Sequence, residues 1–98
     1  MNVVNKEMSS DYMIIIYTRF VSGSDTKGSR IAASAPHGKK VEVNKNHALS
    51  SDENHLAAAQ EWIKKNAQRI ASRLTLIGHG DTPTGSGYAF VFALKQEI

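Results

Sequence analysis

Six basic side chains lie between residues 19 and 45, a stretch with only two acids, and they are the residues of this sequence best suited to binding chemistry. They are Arg19, Lys27, Arg30, Lys39, Lys40 and Lys45. The first half of the chain carries the whole formal excess of +3, because residues 51–98 contain five bases and five acids. Clustered bases indicate a surface that binds polyanions such as nucleic acid. The alternative is a solvated edge that keeps the protein soluble.

The segment GSDTKGSR, which begins at Gly23, nearly spells a phosphate-binding loop. Such a loop needs Lys after its second Gly and then Ser or Thr for magnesium, whereas Ser29 and Arg30 occupy those positions here. A turn around Gly28 can still hold one phosphate of a nucleic-acid backbone, and an ordinary hairpin turn is the alternative. The residues predicted to bind nucleic acid or a protein partner are Lys27, Ser29, Arg30, Lys39, Lys40 and Lys45.

Four histidines offer a different chemistry: His37, His47, His55 and His79. His55 and His79, with Asp81, which shares a Gly-rich segment with His79, could form an acid–base pair or a metal site. No spacing of the H-E-x-x-H kind supports this, so surface or capping histidines are the simpler interpretation. The chain has no cysteine and no signature of a serine nucleophile. The sequence therefore predicts no catalytic residue, no metal ligand and no cofactor.

The elements that must position the bases begin after a polar, aperiodic tail at residues 1–11, and residues 12–98 form one domain. The run YMIIIYTRFV, residues 12–21, predicts a strand buried on both faces at its start. Residues 29–35 and 39–44 predict two further strands, because Pro36 and Gly38 between them favour a turn. These two strands would form a hairpin that carries most of the bases.

A helix signal follows the hairpin. Ser50 and Glu53 have the S-x-x-E spacing of a capping box, which predicts a helix from about Asp52 to at least Asn66. Apolar residues recur at helical spacing and predict its buried face, with Trp62 in the core. The recurring positions are Leu56, Ala59, Ile63, Ala67 and Ile70.

The C-terminal part predicts one or two strands. Leu74 to Ile77 is a short strand or an extended lead-in, Gly78 to Gly87 is a ten-residue loop, and Tyr88 to Lys95 is an apolar strand central in the sheet. The order β-β-β-α-(β)-β predicts an α+β fold with two layers. A mainly antiparallel sheet of four to five strands would have one amphipathic helix on one face. We expect the uncovered face to be partly solvated and to carry the bases.

Three blocks in this order resemble a group of short uncharacterised proteins encoded by phages, plasmids and integrative elements. The blocks are T-K-G-S-R-I-x-A from Thr26, A-L-S-S-D-E-N-H-x-A-A-A from Ala48 and G-Y-x-F-V-F from Gly87. The resemblance implies a small accessory protein of a mobile element, a class that includes DNA-handling proteins and inhibitors of host defence. The three strands and helix are also similar to the sheet-reading DNA-binding domains of integrases.

Three functional hypotheses follow. The first is a non-enzymatic protein that binds nucleic acid, DNA before RNA, through its basic sheet and loop face. The second is a protein-binding module, such as an inhibitor of a host defence protein, whose basic face meets an acidic partner. The third is an enzyme that uses His79 and Asp81. No secretory signal or membrane span is readable, which with the missing cysteines favours the cytoplasm. Dimerisation by strand-edge pairing is left open.

Overall fold

A computed structural model describes residues 13–23, 28–82, 85 and 87–94 of the chain. The predicted N-terminal tail and Lys27 lie outside the described residues. The architecture is α+β, as predicted, with five antiparallel strands in one open sheet and one main helix. Among the described residues no helix has both the length and the apolar character needed to cross a membrane.

The sheet has the strand order β3-β2-β1-β5-β4, so that β1 is central and β3 and β4 are its edges. The strands are β1 Met13–Val21, β2 Arg30–Ser34, β3 Val41–Asn44, β4 Leu74–Asp81 and β5 Gly87–Leu94. Every neighbouring pair is antiparallel. The last strand is therefore an inner strand, which its apolar sequence predicted.

One helix, α1 at Ser51–Asn66, lies across one face of the sheet and is followed by a 3₁₀ helix at Gln68–Arg73. Both halves of the predicted capping box are present: the Glu53 amide donates to the Ser50 hydroxyl, and the Ser50 amide donates to the Glu53 carboxylate. Two orphan amides at the start of the helix thereby gain partners, which explains why the helix begins there.

The core lies between α1 and the facing side of the sheet. Strand β1 alternates exposed and buried residues, and it presents Ile14, Ile16 and Thr18 to the helix. Ala58, Ala59, Trp62 and Ile63 of α1 pack against the sheet, which confirms Trp62 as a core residue. Two small alanines let the helix approach the sheet closely.

Two sequence expectations fail in the sheet. The start of β1 is not buried on both faces, since Met13 and Ile15 are exposed. The ten-residue loop at Gly78–Gly87 is also wrong, because β4 continues through Asp81 and pairs with β5. A bulge between Leu76 and Gly78 adds one residue to β4 there. Glycines favour turns locally, but hydrogen bonding to the apolar strand β5 outweighs that preference.

Candidate nucleic-acid interface

The described members of the predicted basic set lie on or beside the β2–β3 hairpin, at one edge of the sheet. Arg30 is the first residue of β2, while Lys39 and Lys40 precede β3 and Lys45 follows it. Ser29 closes the open end of the hairpin, where its carbonyl accepts the Lys45 amide at 2.9 Å. The fold thus brings the predicted residues to one edge, but it points them in three directions.

The first direction is the open face, which we define as the side of the sheet opposite α1. There Arg30 Nε lies 3.3 Å from Glu42 Oε1, and Lys40 Nζ lies 3.7 Å from Glu42 Oε2. Two predicted phosphate ligands therefore share one carboxylate. The Arg30 side chain is largely covered, whereas that of Lys40 is 54% exposed, so the lysine pair contributes little to stability.

The second direction is the end of the helix, where the turn containing Lys39 is fixed. The Lys39 amide donates to Asn66 Oδ1 at 2.9 Å, and Asn66 Nδ2 donates back to the Lys39 carbonyl at 3.0 Å. Gly38 has φ of +82°, and a Cβ there would lie 2.7 Å from Asn66 Oδ1. Only glycine permits this approach, so Lys39 belongs to a fixed turn away from the open face.

The third direction is the helix side of the sheet beyond the reach of α1. Lys45 Nζ lies 5.7 Å from the centre of the Phe20 ring, within the range of a cation–π contact. Phe20 follows the parity of Ile16 and Thr18 on β1, so this contact lies on the helix side. Lys45 therefore does not share a surface with Arg30.

The predicted binding set left out two members of the open face, Glu42 and Arg19, although Arg19 is one of the six clustered bases. Arg19 is exposed on β1, pairs with Ala32 across the strands and has no ion-pair partner among the described residues. Glu42 pairs with Ala32 from the other side. Ala32 is only 3% exposed although no helix lies over it, because the stems of the neighbouring charged side chains shield it. We call Arg19, Arg30, Lys40 and Glu42 the charge cluster; its formal charge is +2.

The histidines do not converge on a catalytic arrangement. His55 is buried, and its Nδ1 lies 2.7 Å from the hydroxyl oxygen of Thr18, which is also buried. The His55 ring lies 4.5 Å from the ring of Tyr88, whose hydroxyl donates to Asp52. The Thr18 hydroxyl is buried and cannot reach a substrate. The contacts among Thr18, His55, Tyr88 and Asp52 instead join the helix to the sheet.

His79 lies beside a small cavity rather than inside a catalytic cleft. The cavity is about 120 Å³ in volume and lies between α1 and the β4–β5 hairpin. It is lined by Asp52, Glu53, Leu56, Leu76, His79, Tyr88 and Phe90. Within the part of the chain that the structure describes, no three His, Cys, Asp or Glu side chains are placed to hold a metal ion.

Protonation of His55 should couple pH to stability. Burial lowers the pKa of His55 below its usual 6.5, and nearby Asp52 opposes part of that shift. The unfolded chain then binds more protons than the folded chain between these two pKa values, so the free energy of unfolding must fall as pH falls through that window. Urea titrations at about pH 7.5, 6.5 and 5.5 should show this loss in the wild type and a much smaller one in His55→Gln. If the wild type and His55→Gln lost the same stability between these pH values, the pH dependence would not come from His55.

Comparison with known proteins adds no relative: no family model, no curated protein and no solved structure matches the chain. Function must therefore be inferred from the residues of this chain themselves.

Proposed function

We propose that the protein is a non-enzymatic, cytoplasmic accessory protein of a mobile genetic element that binds nucleic acid through the charge cluster. The observation that supports binding is the position of Arg19 and Arg30 on neighbouring strands of an uncovered sheet face. Arg19 pairs with Ala32, two residues along β2 from Arg30, so the two guanidinium groups lie diagonally on one surface. The mobile-element context is supported only by the sequence resemblance.

The contacts in this proposal are phosphate contacts, with DNA as the first candidate and RNA as the second. A guanidinium group can bind two phosphate oxygens at once. Arg19 and Arg30 lie on the broad face of a five-stranded sheet rather than on a separate helix or two-stranded ribbon, so the cluster favours backbone binding with little dependence on base sequence. Ser29 would extend the same edge, and Lys45 would add a cation on the helix side of that edge. Lys27, which lies outside the described residues, is included on the sequence alone. Lys39 would contribute least, because its turn is fixed toward the helix end.

Neutralising one arginine of the cluster should weaken binding and its dependence on salt. We expect Arg19→Gln and Arg30→Gln each to lower the affinity for labelled DNA and to reduce the salt slope by about one unit. Fluorescence anisotropy with duplex and single-stranded oligonucleotides at about 50 and 200 mM salt measures both quantities. Lys64→Gln is the matched control, because it removes the same charge from the exposed side of α1.

Two results would contradict this proposal. One is a wild-type protein without measurable affinity for either oligonucleotide at about 50 mM salt, where phosphate contacts are strongest. The other is a loss of affinity in Lys64→Gln as large as that in the arginine variants. Such a loss would show that binding depends on the net charge of the protein rather than on the charge cluster.

Removing the negative charge of Glu42 should raise the affinity for nucleic acid, whereas removing an arginine should lower it. Glu42 competes with phosphate for both Arg30 and Lys40, so Glu42→Gln should tighten binding severalfold at low salt. Glu61→Gln is the matched control, because Glu61 also forms an ion pair, with Lys65 at 3.7 Å, but lies on the helix. Binding that tightens equally in both variants would remove the support for this site.

A protein partner is the second candidate, since the charge cluster adjoins exposed apolar residues of β1. Specific protein interfaces combine an apolar centre with a polar rim in this manner. An acidic protein, such as a component of host defence, would meet the same cations. Capture of one defined partner from nuclease-treated lysate, lost in Arg19→Gln but kept in Lys64→Gln, would favour this function.

A further inference from the structure

The open face carries a row of large apolar side chains along its central strand. Met13, Ile15 and Tyr17 of β1 are 49%, 41% and 43% exposed, and they alternate with the residues that face α1. None of the described elements packs on this side of the sheet. We call these three residues the ridge. An exposed apolar row at the centre of a sheet indicates an interaction surface.

Smaller side chains lie on both sides of the ridge. On β5 the residues paired with the ridge are Ala93, Val91 and Ala89. On β2 the neighbours are Ala32 and Ser34. The surface therefore consists of a raised row beside a shallower furrow on β5. A face with this relief is complementary to a second copy of itself.

We propose that two copies of the chain pack open face to open face, with the ridge of each in the β5 furrow of the other. A two-fold axis parallel to the strands, placed between β1 and β5, produces this arrangement. It sets β1 of one copy over β5 of its partner, and β2 over the partner's β4. Sheets packed in this way lie about 10 Å apart.

The area of the face is close to what such a dimer needs. At about 3.3 Å per residue and about 4.8 Å between strands, the four strands that lie within the interface, β1, β2, β4 and β5, occupy roughly 470 Å² of plane in each copy. Two copies would bury about 950 Å² before side-chain relief is added, close to the roughly 1,000 Å² that a specific interface needs.

The packing covers part of the charge cluster. Arg19 on β1 pairs with Gly87, the first residue of β5, so it lies over the end of the partner's β5, and Arg30 on β2 lies over the partner's β4. With the axis between β1 and β5, the edge strand β3 has no partner strand beneath it and projects beyond the interface, so that Lys40 and Glu42 stay exposed on both flanks. The dimer therefore competes with nucleic-acid binding through Arg19 and Arg30, and it does not rest on that binding.

The occupant of the face is a second copy rather than a single-stranded nucleic acid. Stacking surfaces for bases rely on successive aromatic side chains, whereas Tyr17 is the one aromatic residue on this face among those described. Aliphatic side chains make up the rest of the ridge, and they favour packing against protein.

The test is the oligomeric state of two matched variants. Ile15→Glu places a charge in the ridge, and Phe20→Glu places the same charge at a 45% exposed apolar residue on the opposite side of the same strand. Sedimentation velocity from about 10 to 200 µM covers the affinities expected for an interface of this size. The wild type and Phe20→Glu should approach twice the 10.7 kDa chain mass, and Ile15→Glu should remain monomeric. Circular dichroism verifies that both variants fold.

A second measurement uses the absence of cysteine from the chain. In Val91→Cys the two thiols would lie near the axis, and a bismaleimide with a span of about 10 Å should join them. Gln60→Cys, on the exposed side of α1, should not be joined.

Because apolar burial holds the dimer, association should persist at salt concentrations that abolish nucleic-acid binding. A monomeric wild type at 200 µM would overturn the proposal, as would equal behaviour of the two glutamate variants. A monomer whose binding to single-stranded DNA is lost in Tyr17→Ala would instead assign the face to nucleic acid.

Discussion

Ile16→Ala is expected to remove about 3–5 kcal/mol from the free energy of unfolding. Ile16 is fully buried at the middle of the central strand, where it faces α1 and contacts the core cluster. A domain of this size has roughly 5–15 kcal/mol of total stability, so this single truncation should consume a large share of it. The melting temperature should fall by roughly 15 °C or more. Urea titration and thermal melting by circular dichroism measure both effects.

Phe20→Ala is the control for this prediction. It deletes a larger side chain from the same side of the same strand, but Phe20 is 45% exposed and its ring lies beside the Lys45 ammonium group. Its cost should stay near 1 kcal/mol, since little buried area is lost. Equal losses in the two variants would mean that α1 does not pack on β1 as the structure describes.

The helix could be predicted from the sequence because its signals are local. Ser50 and Glu53 fix its start within one turn, and the caps observed are those that the spacing predicts. Strand β1 was also predictable in extent, because it has no competing turn former. Which face of β1 is buried could not be predicted, because an uninterrupted apolar run has no alternation from which to assign the side that α1 covers.

The second half of β4 could not be predicted because its stability comes from a distant strand. Gly78, His79 and Gly80 have weak strand preference alone, but they pair with Val91, Phe90 and Ala89 of β5. Cross-strand hydrogen bonds and packing decide such segments. The predicted lead-in at Leu74–Ile77 is therefore the first half of a longer strand.

The candidate site was predictable by composition but not by arrangement. Clustering along the chain selected Arg30 and Lys40, which the hairpin does bring to one surface. The same criterion could not reveal that Glu42 forms an ion pair with both, or that Arg19 faces the same side from another strand. Both facts depend on register, and a shift of one residue would move either side chain to the other face.

Asn54→Ala should have the other large effect, at a polar residue that sequence analysis did not select. Asn54 is buried in the first turns of α1. Its amide group is within hydrogen-bond distance of the carbonyls of Asn46, Leu49 and Ser50, at 3.0, 3.3 and 3.0 Å. Its Oδ1 accepts the Asn46 amide at 2.8 Å. One side chain thus holds the loop that connects β3 to the helix.

Truncation of Asn54 would leave the Asn46 amide and the Leu49 carbonyl without these partners in a partly shielded site, whereas the Asn46 and Ser50 carbonyls would each keep a backbone donor. Each unsatisfied group costs about 1–3 kcal/mol where water cannot replace the lost bond. We expect a loss of about 2–4 kcal/mol because solvent reaches part of the loop. Asn54→Asp should be no better, since a carboxylate keeps the acceptor but cannot donate to the three carbonyls. Asn44→Ala, the same change at an exposed position of β3, should cost well under 1 kcal/mol. Near-wild-type stability of Asn54→Asp, measured by urea titration, would show that the acceptor alone holds the loop and that the bonds donated by Nδ2 add little.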